Sequence, residues 1–314
     1  MQRYILFRIF QSFFIIIGVL VFVFILGRVG SNDPALLMAD PDATEEEIVE
    51  IREMYGLDKP VVIQLGYFFK ELAKGNFGYS YNWDQPALEL VIERLPATIK
   101  LALLASAMVW ALSIFMGIMA AVNRATWVDT LTRTYVFAGQ SIPDFWFALI
   151  LIMIFGVKLG WFPTSGYGGI YHMILPALAL GLFGGTGLTR LTRSGMINVL
   201  DSEYIKMARA KGLSERVVLF KHALKNGALP LVTIMGPIMA RMFSGSLIIE
   251  LIFAWPGIGR LTYQAVLNSD FPVVQCAVFF GTTLLVAGNL LVDIMYVVID
   301  PRIRSFRRGG RRQS

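Results

Sequence analysis

The sequence predicts an all-α membrane protein that crosses the bilayer several times, and three observations support this fold class. Charged residues make up only 16% of the 314-residue chain, whereas roughly 25% is usual in soluble domains. Hydrophobic residues make up 56% of the chain, and the mean hydropathy is +0.62. Six segments are mainly apolar over about 20 residues, which is the length of helix that spans a hydrocarbon core.

The six apolar segments predict six transmembrane helices. Their expected bounds are Ile9–Val29, Ile99–Val122, Leu131–Val157, His172–Thr189, Ala228–Ile252 and Cys276–Ile299. The first segment follows Arg3 and Arg8 and so resembles a signal peptide, but its apolar run exceeds the ~7–15 residues of a signal sequence. No clear cleavage site follows it, and we therefore interpret it as a retained helix.

The distribution of basic residues predicts the orientation. If the N-terminus is inside, 18 Lys and Arg residues fall on the inner side and seven on the outer side. Because inner loops of membrane proteins are enriched in Lys and Arg, both termini are expected in the cytoplasm. The long loop 30–98 then lies outside, in keeping with its 13 acidic and 5 basic residues. Topology thus explains the net charge of +6, and nucleic acid is not an expected partner.

The outer loop is expected to fold into a small cap. Thr44 precedes three glutamates at the start of a predicted helix, where the helix dipole favours acidic side chains. A second helix is expected over Val61–Lys74, with Pro60 at its start. Glu89–Leu95 then leads into the second span.

These features predict three regions. They are an N-terminal transmembrane helix with the outer cap (1–98), a core of five transmembrane helices that contains the cytoplasmic loop 190–227 (99–300), and a basic cytoplasmic tail (301–314). Four prolines are expected to kink the spans, because proline removes a backbone hydrogen bond. They are Pro143, Pro176, Pro230 and Pro237. Both bundle packing and gating account for such kinks.

A polar stretch, Asp201–Pro230, lies between two apolar segments and is predicted to form a docking surface on the inner side. It carries six basic and three acidic residues, and its helix-forming residues are interrupted at Gly212 before a second helix start. Ser214 is expected to cap the second helix with its hydroxyl oxygen. Leu213 and Val218 occupy the positions of a hydrophobic staple.

No pattern indicates catalysis, and no metal site is expected. No Walker A sequence occurs, so we do not expect ATP to bind this chain through a phosphate loop. The two histidines, His172 and His222, lack the spacing of a metal site. Cys276 is the single cysteine and is interpreted as a small buried hydrophobic residue.

Polar side chains inside the predicted spans are candidates for a path through the membrane, because their burial there is costly. They are Asp144, Arg241, Glu250, Asn289 and Asp293. A structural hydrogen bond between helices is the alternative interpretation for each of them.

Five stretches, in order along the chain, together resemble one known family. They are residues 56–80, 93–112, 203–230, 253–261 and 289–304. The third, EYIKMARAKGLSERVVLFKHALKNGALP, resembles the cytoplasmic loop of ABC-importer permeases, the EAA loop. It departs from the general loop pattern, since Lys206-Met207-Ala208 stands where Glu-Ala-Ala is usual. The longer form of the loop is similar to the B-type permease of the dipeptide, oligopeptide and nickel branch.

The resemblance implies a type I ABC importer permease fold in the bacterial inner membrane. It implies a second homologous permease as partner, expected as a heterodimer, and contact with membrane lipid. An extracytoplasmic binding protein would deliver substrate, and two cytoplasmic ATPases would bind ATP and Mg, with no cofactor on this chain. The residues implied to couple to the ATPases are Glu203, Ala208, Arg209, Ala210, Lys211, Gly212, Leu213, Ser214, Glu215 and Val218.

Alternatives differ in substrate and in class. Di- or oligopeptides are the expected substrate, and nickel chelates, glutathione or another small conjugate remain alternatives. An ion-coupled secondary transporter would show inverted repeats and carboxylates near broken helices. An intramembrane enzyme would need a nucleophile and a base at membrane depth, and neither pattern is visible in the sequence.

Overall fold

The computed structural model describes residues 2–29, 35–36, 39, 42–54, 56–227 and 229–299, and its named elements are all helices. The helices before the polar stretch are α1 (Gln2–Val29), α2 (Glu45–Met54), α3 (Val61–Leu72), α4 (Ala87–Val122), α5 (Trp127–Ser141), α6 (Asp144–Leu151), the π-helix π1 (Ile152–Lys158), α7 (Ile170–Gly184) and α8 (Thr186–Leu200). The remaining helices are α9 (Glu203–Ala210), α10 (Glu215–Val217), the π-helix π2 (Val218–Ala223), α11 (Leu224–Gly227), α12 (Leu229–Ile252), α13 (Ile258–Leu267) and α14 (Phe271–Ile299).

Four helices are long and apolar enough to cross a membrane, and two bent helix pairs bring the number of spans to as many as six. The four helices are α1, α4, α12 and α14. The two pairs are α5 with α6–π1, bent by 107°, and α7 with α8, bent by 46°. The six predicted spans correspond to these four helices and two pairs, so the chain is an all-α, multi-pass membrane protein.

The two bent pairs break for different reasons, and one of them differs from the prediction. Ile142 and Pro143 are extended between α5 and α6, because the residue before a proline is pushed out of the helical region. The break expected at Pro143 is therefore present. Helix α7 continues through Pro176, however, and its bend comes at Gly185. Pro237 likewise lies inside the continuous helix α12.

The chain divides into two compact units, which are described separately. Unit A takes the described residues of 1–8, 99–255 and 285–314, and unit B those of 9–98 and 256–284. The core of unit B includes Phe77, Leu90, Leu261, Val273 and Cys276. Cys276 is fully buried.

The basic tail lies outside the described residues, and the division into three regions stays a prediction.

The loop 30–98, predicted to form a cap, has the two helices that the sequence predicts within its described residues. Helix α2 begins after Thr44, whose backbone N–H donates to Glu47 Oε2 at 2.7 Å while the Glu47 N–H faces Thr44 Oγ1 at 3.4 Å. This reciprocal pair is a capping box, which satisfies donors that a helix start leaves without partners. Helix α3 begins at Val61, directly after Pro60.

A buried carboxylate fastens the loop that follows α3. Asp270 is fully buried in unit B, and its Oδ2 accepts from the Ser80 hydroxyl at 2.5 Å and from the backbone N–H of Tyr81 at 3.1 Å and of Asn82 at 3.3 Å. Hydrogen bonds to a charged group are stronger than neutral ones. The loop around residues 80–82 is thus held by one side chain nearly 190 positions away in the sequence.

Replacing Asp270 with alanine is expected to lower the free energy of unfolding by about 2–3 kcal/mol, because buried donors lose a charged acceptor. Thermal unfolding of the purified protein measures this loss. Asp58→Ala removes an exposed carboxylate from the same unit and serves as the control. Equal unfolding temperatures for the two variants would contradict the structural role of Asp270.

Candidate functional site

The predicted docking surface folds as a helix, a glycine turn and a second helix, named here the loop segment (Glu203–Gly227). In α9 the side chains of Ile205 and Ala208 are buried, whereas Tyr204 and Met207 are exposed. Ile205 and Ala208 pack in a cluster with Met196 of α8 and Val218 of π2. One face of α9 therefore packs against the rest of unit A. The opposite face is exposed.

The turn of the loop segment depends on the backbone of one glycine. Gly212 has φ +77°, in the left-handed region that favours glycine. Its N–H donates to Arg209 O at 2.9 Å, and the next N–H, of Leu213, points to Ala208 O at 3.4 Å. These bonds close the C-terminal end of α9. The break predicted at Gly212 is present.

The second helix begins where it was predicted, but its capping differs. Ser214 occupies the position before α10, yet its side chain makes no capping hydrogen bond, so that part of the prediction is wrong. An exposed ion pair spans the turn beside the helix start. Arg209 Nε lies 2.8 Å from Glu215 Oε1, and Arg209 Nη2 lies 3.2 Å from Oε2. Because Arg209 binds both oxygens, it fixes the direction of α10 relative to α9.

The expected hydrophobic staple is only half present. Val218 is fully buried in the cluster with Met196 and Ile205. Leu213 is 40% exposed and does not belong to that cluster among the described residues. The second helix is thus anchored through Val218 at the start of π2, since α10 itself buries no residue, and Leu213 is left on the surface.

Most of the predicted coupling residues lie on the exposed face of the loop segment. Eight are exposed: Glu203, Arg209, Ala210, Lys211, Gly212, Leu213, Ser214 and Glu215. Ala208 and Val218 are buried and hold the segment in place. Glu203 accepts from Lys206 at 2.7 Å, and this hydrogen bond raises the pKa of Lys206 above its ordinary value.

Exposed apolar side chains on the same segment were not singled out in the sequence. They are Tyr204, Met207, Val217 and Phe220, and the predicted coupling residue Leu213 is exposed beside them. The signal for Tyr204 and Met207 is their spacing against the buried Ile205 and Ala208, which places them on another face of α9. The segment thus presents both charge and apolar area to its surroundings, as interaction surfaces do.

A second feature of unit A is a cavity of about 820 Å³ that brings two of the predicted path residues together. Asp144, at the start of α6, and Arg241, in α12, both line it. They are 97 positions apart in the sequence, and no periodicity relates them. The other polar side chains that line the cavity are Gln140, Thr186, Arg190 and Ser194, which sequence reasoning did not select.

The other predicted path residues lie elsewhere. Glu250 is fully buried and is not among the residues that line this cavity. Asn289 is partly buried on α14 and also lies outside the lining. The side chain of Asp293 lies outside the described residues. Within the described ranges, no group of three or more His, Cys, Asp or Glu side chains is arranged to hold a metal ion.

Comparison with known proteins identifies the family. The family model of the binding-protein-dependent transport system inner membrane component matches residues 113–305, and the model of its N-terminal region matches residues 1–102. The chain belongs to this family of transport components. An oligopeptide transport system permease of Bacillus subtilis is 38% identical over 314 residues, which cover 96% of this chain and 99% of that protein.

Other relatives of this transport component carry related names. A protein of Brucella abortus named as a peptide transport system permease is 42% identical, over 97% of this chain and 99% of its own. A glutathione transport system permease of Escherichia coli is 38% identical, over 92% of this chain and 94% of its own. A solved methionine ABC transporter in an inward-facing conformation matches with a TM-score of 0.57 at 16% identity, over 67% of this chain and 96% of that one. This last likeness shows that the fold is that of an ABC transporter permease.

Proposed function

We propose that this chain is one permease subunit of an ATP-driven importer of di- or oligopeptides. The observation that carries the proposal is the similarity, at 38–42% identity over nearly the whole chain, to permeases named for peptide transport. The loop segment supports it, because its exposed apolar and charged face suits a protein partner. The subunit would form half of a path with a second homologous permease, and a binding protein would deliver peptide on the outer side.

The partners of the loop segment are proposed to be ATPase subunits on the cytoplasmic side. Both termini would lie in the cytoplasm, as the excess of Lys and Arg on that side indicates. ATP and Mg would then bind the two ATPases, and no cofactor would bind this chain. Closure of the ATPase pair would displace α10 and π2, and the ion pair between Arg209 and Glu215 would pass that displacement to α9.

Uptake by the purified complex in liposomes tests this function. The chain is co-purified with its permease partner, the ATPases and the binding protein, and ATP-dependent uptake of labelled di- and oligopeptides is measured. Glutathione is the second candidate, because a glutathione permease is 38% identical, and nickel chelates are included as a third. Peptide uptake that needs both ATP and the binding protein supports the proposal. Uptake driven by an ion gradient without ATPases would overturn it.

We further propose that the cavity of about 820 Å³ belongs to the substrate path. Its lining carries both charges, with Asp144 against Arg190 and Arg241. A peptide also carries both charges at its termini, and complementary charges guide binding and exclude wrong partners. Of the side chains predicted to contact substrate, Asp144 and Arg241 line this cavity. Glu250 is instead fully buried within the protein.

Reversing the charge of one wall tests the path. Arg241→Glu is expected to lower peptide uptake at least about tenfold, since like charges brought together cost several kcal/mol. Lys158→Glu makes the same change at an exposed position of unit A outside the cavity lining, and its uptake is expected to stay near that of the wild type. Equal uptake by both variants would remove Arg241 from the path.

A further inference from the structure

A buried ion pair joins the N-terminal end of α5 to the middle of α8. Asp129 is 1% exposed, and Arg193 donates to both of its oxygens, Nε to Oδ1 at 2.6 Å and Nη2 to Oδ2 at 2.9 Å. Arg133 Nη2 approaches Oδ2 from the exposed side at 3.2 Å. Two parallel bonds from one guanidinium restrict both distance and angle, so this pair fixes α5 against α8.

The same carboxylate organises the turn between α4 and α5. Ala125 has φ +63°, in the left-handed region that residues other than glycine rarely adopt. Its backbone N–H donates to Asp129 Oδ2 at 3.1 Å. Asp129 therefore holds both a strained turn and a neighbouring helix, and the loss of its charge would release the two together.

Further contacts attach α5 along its length. The Tyr135 hydroxyl donates to Leu182 O at the end of α7. A Cβ on Gly139 would lie only 2.6 Å from side-chain atoms of Phe183 and Thr186, which shows how closely the helices approach there. The ion pair at Asp129 and the approach at Gly139 are separated by about 15 Å of helix. Helix α5 is thus attached near both of its ends. Asp129 binds α8 near the N-terminal end, and Gly139 packs against α7 and α8 near the C-terminal end.

The attached helices connect the two features of the candidate site. Helices α5 and α8 both line the cavity, through residues such as Gln140 and Arg190. Helix α8 also leads directly into the loop segment. A second contact reinforces the connection at that point, because Arg124 Nη1 lies 3.2 Å from Asp201 Oδ2, between the α4–α5 turn and the end of α8.

We propose that Asp129 and Arg193 are positioning residues of transport, which make α5 and α8 move as one body when the loop segment is displaced. Both cavity walls would then change position together. A buried ion pair adds little net stability compared with apolar residues of similar volume, so its principal contribution here is fixed geometry. This inference rests on the proposed function, because ATPase closure would supply the movement of the loop segment. The attachment of α5 to α8 through Asp129 and Arg193 does not depend on that function.

The first test measures coupling in the reconstituted complex, as substrate transported per ATP hydrolysed. Asp129→Asn and Arg193→Gln are each expected to lower this ratio about tenfold, within the usual range of coupling between sites. The double variant leaves neither partner buried alone, with only the exposed Arg133 losing its acceptor, and its ratio is expected to stay as low as in the single variants because the attachment is still missing. Arg133→Gln is the matched control, because its side chain is 59% exposed while it touches the same carboxylate. A ratio unchanged in both single variants would overturn the proposal.

The second test needs no substrate. Spin labels are attached to Thr130→Cys on α5 and Asn198→Cys on α8, both exposed positions, after the buried Cys276 is replaced by serine. With Asp129 present, the distance between the labels is expected to be narrowly distributed and equal in the nucleotide-free and ATP-bound complex. Asp129→Asn is expected to broaden it, even in the purified chain alone. A distance that changes between nucleotide states with Asp129 present, or one that Asp129→Asn leaves unaltered, would overturn the proposal whatever the substrate.

Discussion

Replacement of Gly212 by valine is expected to lower both substrate uptake and the stimulation of ATPase activity by about tenfold or more, if the loop segment couples the subunits. The reason is the backbone, because φ is +77° and the left-handed region costs an L-residue about 1–2 kcal/mol. Space is not the limit, since a Cβ at this position would have no heavy atom within 4 Å. The turn would change its angle, and α10 would leave its place beside α9.

Two variants separate this effect from a general loss of stability. Gly75 has nearly the same backbone, with φ +79° and no atom within 4 Å of an added Cβ, but it lies between α3 and α4, away from the loop segment in the sequence. Gly75→Val should therefore carry a similar backbone strain and leave ATPase stimulation intact. Gly212→Asn should keep most of the activity, because asparagine tolerates this region. Normal uptake with normal stimulation in Gly212→Val would show that the turn does not transmit force.

Replacement of Gly185 by alanine is expected to lower the free energy of unfolding by about 1–3 kcal/mol, the usual range for overpacking a close contact. A Cβ there would lie 2.7 Å from Val109 Cγ1 of α4 and would overlap the Ser113 hydroxyl. That hydroxyl donates to Gly185 O at 2.8 Å, so moving the helices apart would also weaken a buried hydrogen bond. Thermal unfolding in detergent or nanodiscs measures the loss.

The same substitution two residues later should have the opposite sign. A Cβ on Gly187 meets no heavy atom within 4 Å, and Gly187 lies inside helix α8. Gly187 is the second residue of α8, where alanine is favoured over glycine by no more than the ~1 kcal/mol of a helix interior, so Gly187→Ala is expected to raise the unfolding temperature slightly. Destabilisation of equal size at both positions would mean that the close approach of Gly185 to α4 is not the cause of the lost stability.

The difference between Gly185 and Pro176 shows why the bend in the fourth span was placed wrongly from the sequence. Proline is the local signal for a break, yet α7 passes through Pro176, which is buried within unit A. The bend occurs instead where a glycine lets two helices approach. Which of these positions bends depends on the residues of α4 that pack against the span, and these lie more than 70 positions away.

Features set by neighbours in the sequence were predictable, because their causes act over a few residues. Apolar length determined the membrane spans, Thr44 the start of a cap helix, and Gly212 the turn of the loop segment. Even there, the Ser214 hydroxyl makes no capping hydrogen bond, and Arg209 instead pairs with Glu215 across the turn. A side chain six positions away can reach the helix start only once the turn has folded back.

The sequence by itself determined the class of protein, the apolar spans and the position of the loop segment. Only the tertiary structure decided that Asp144 and Arg241 share a cavity, that Asp129 binds Arg193, and that Asp270 holds the loop after α3. Each of these joins residues from about 60 to 190 positions apart. No local periodicity records such pairs, because the packing of segments that are distant in the sequence determines which polar groups meet.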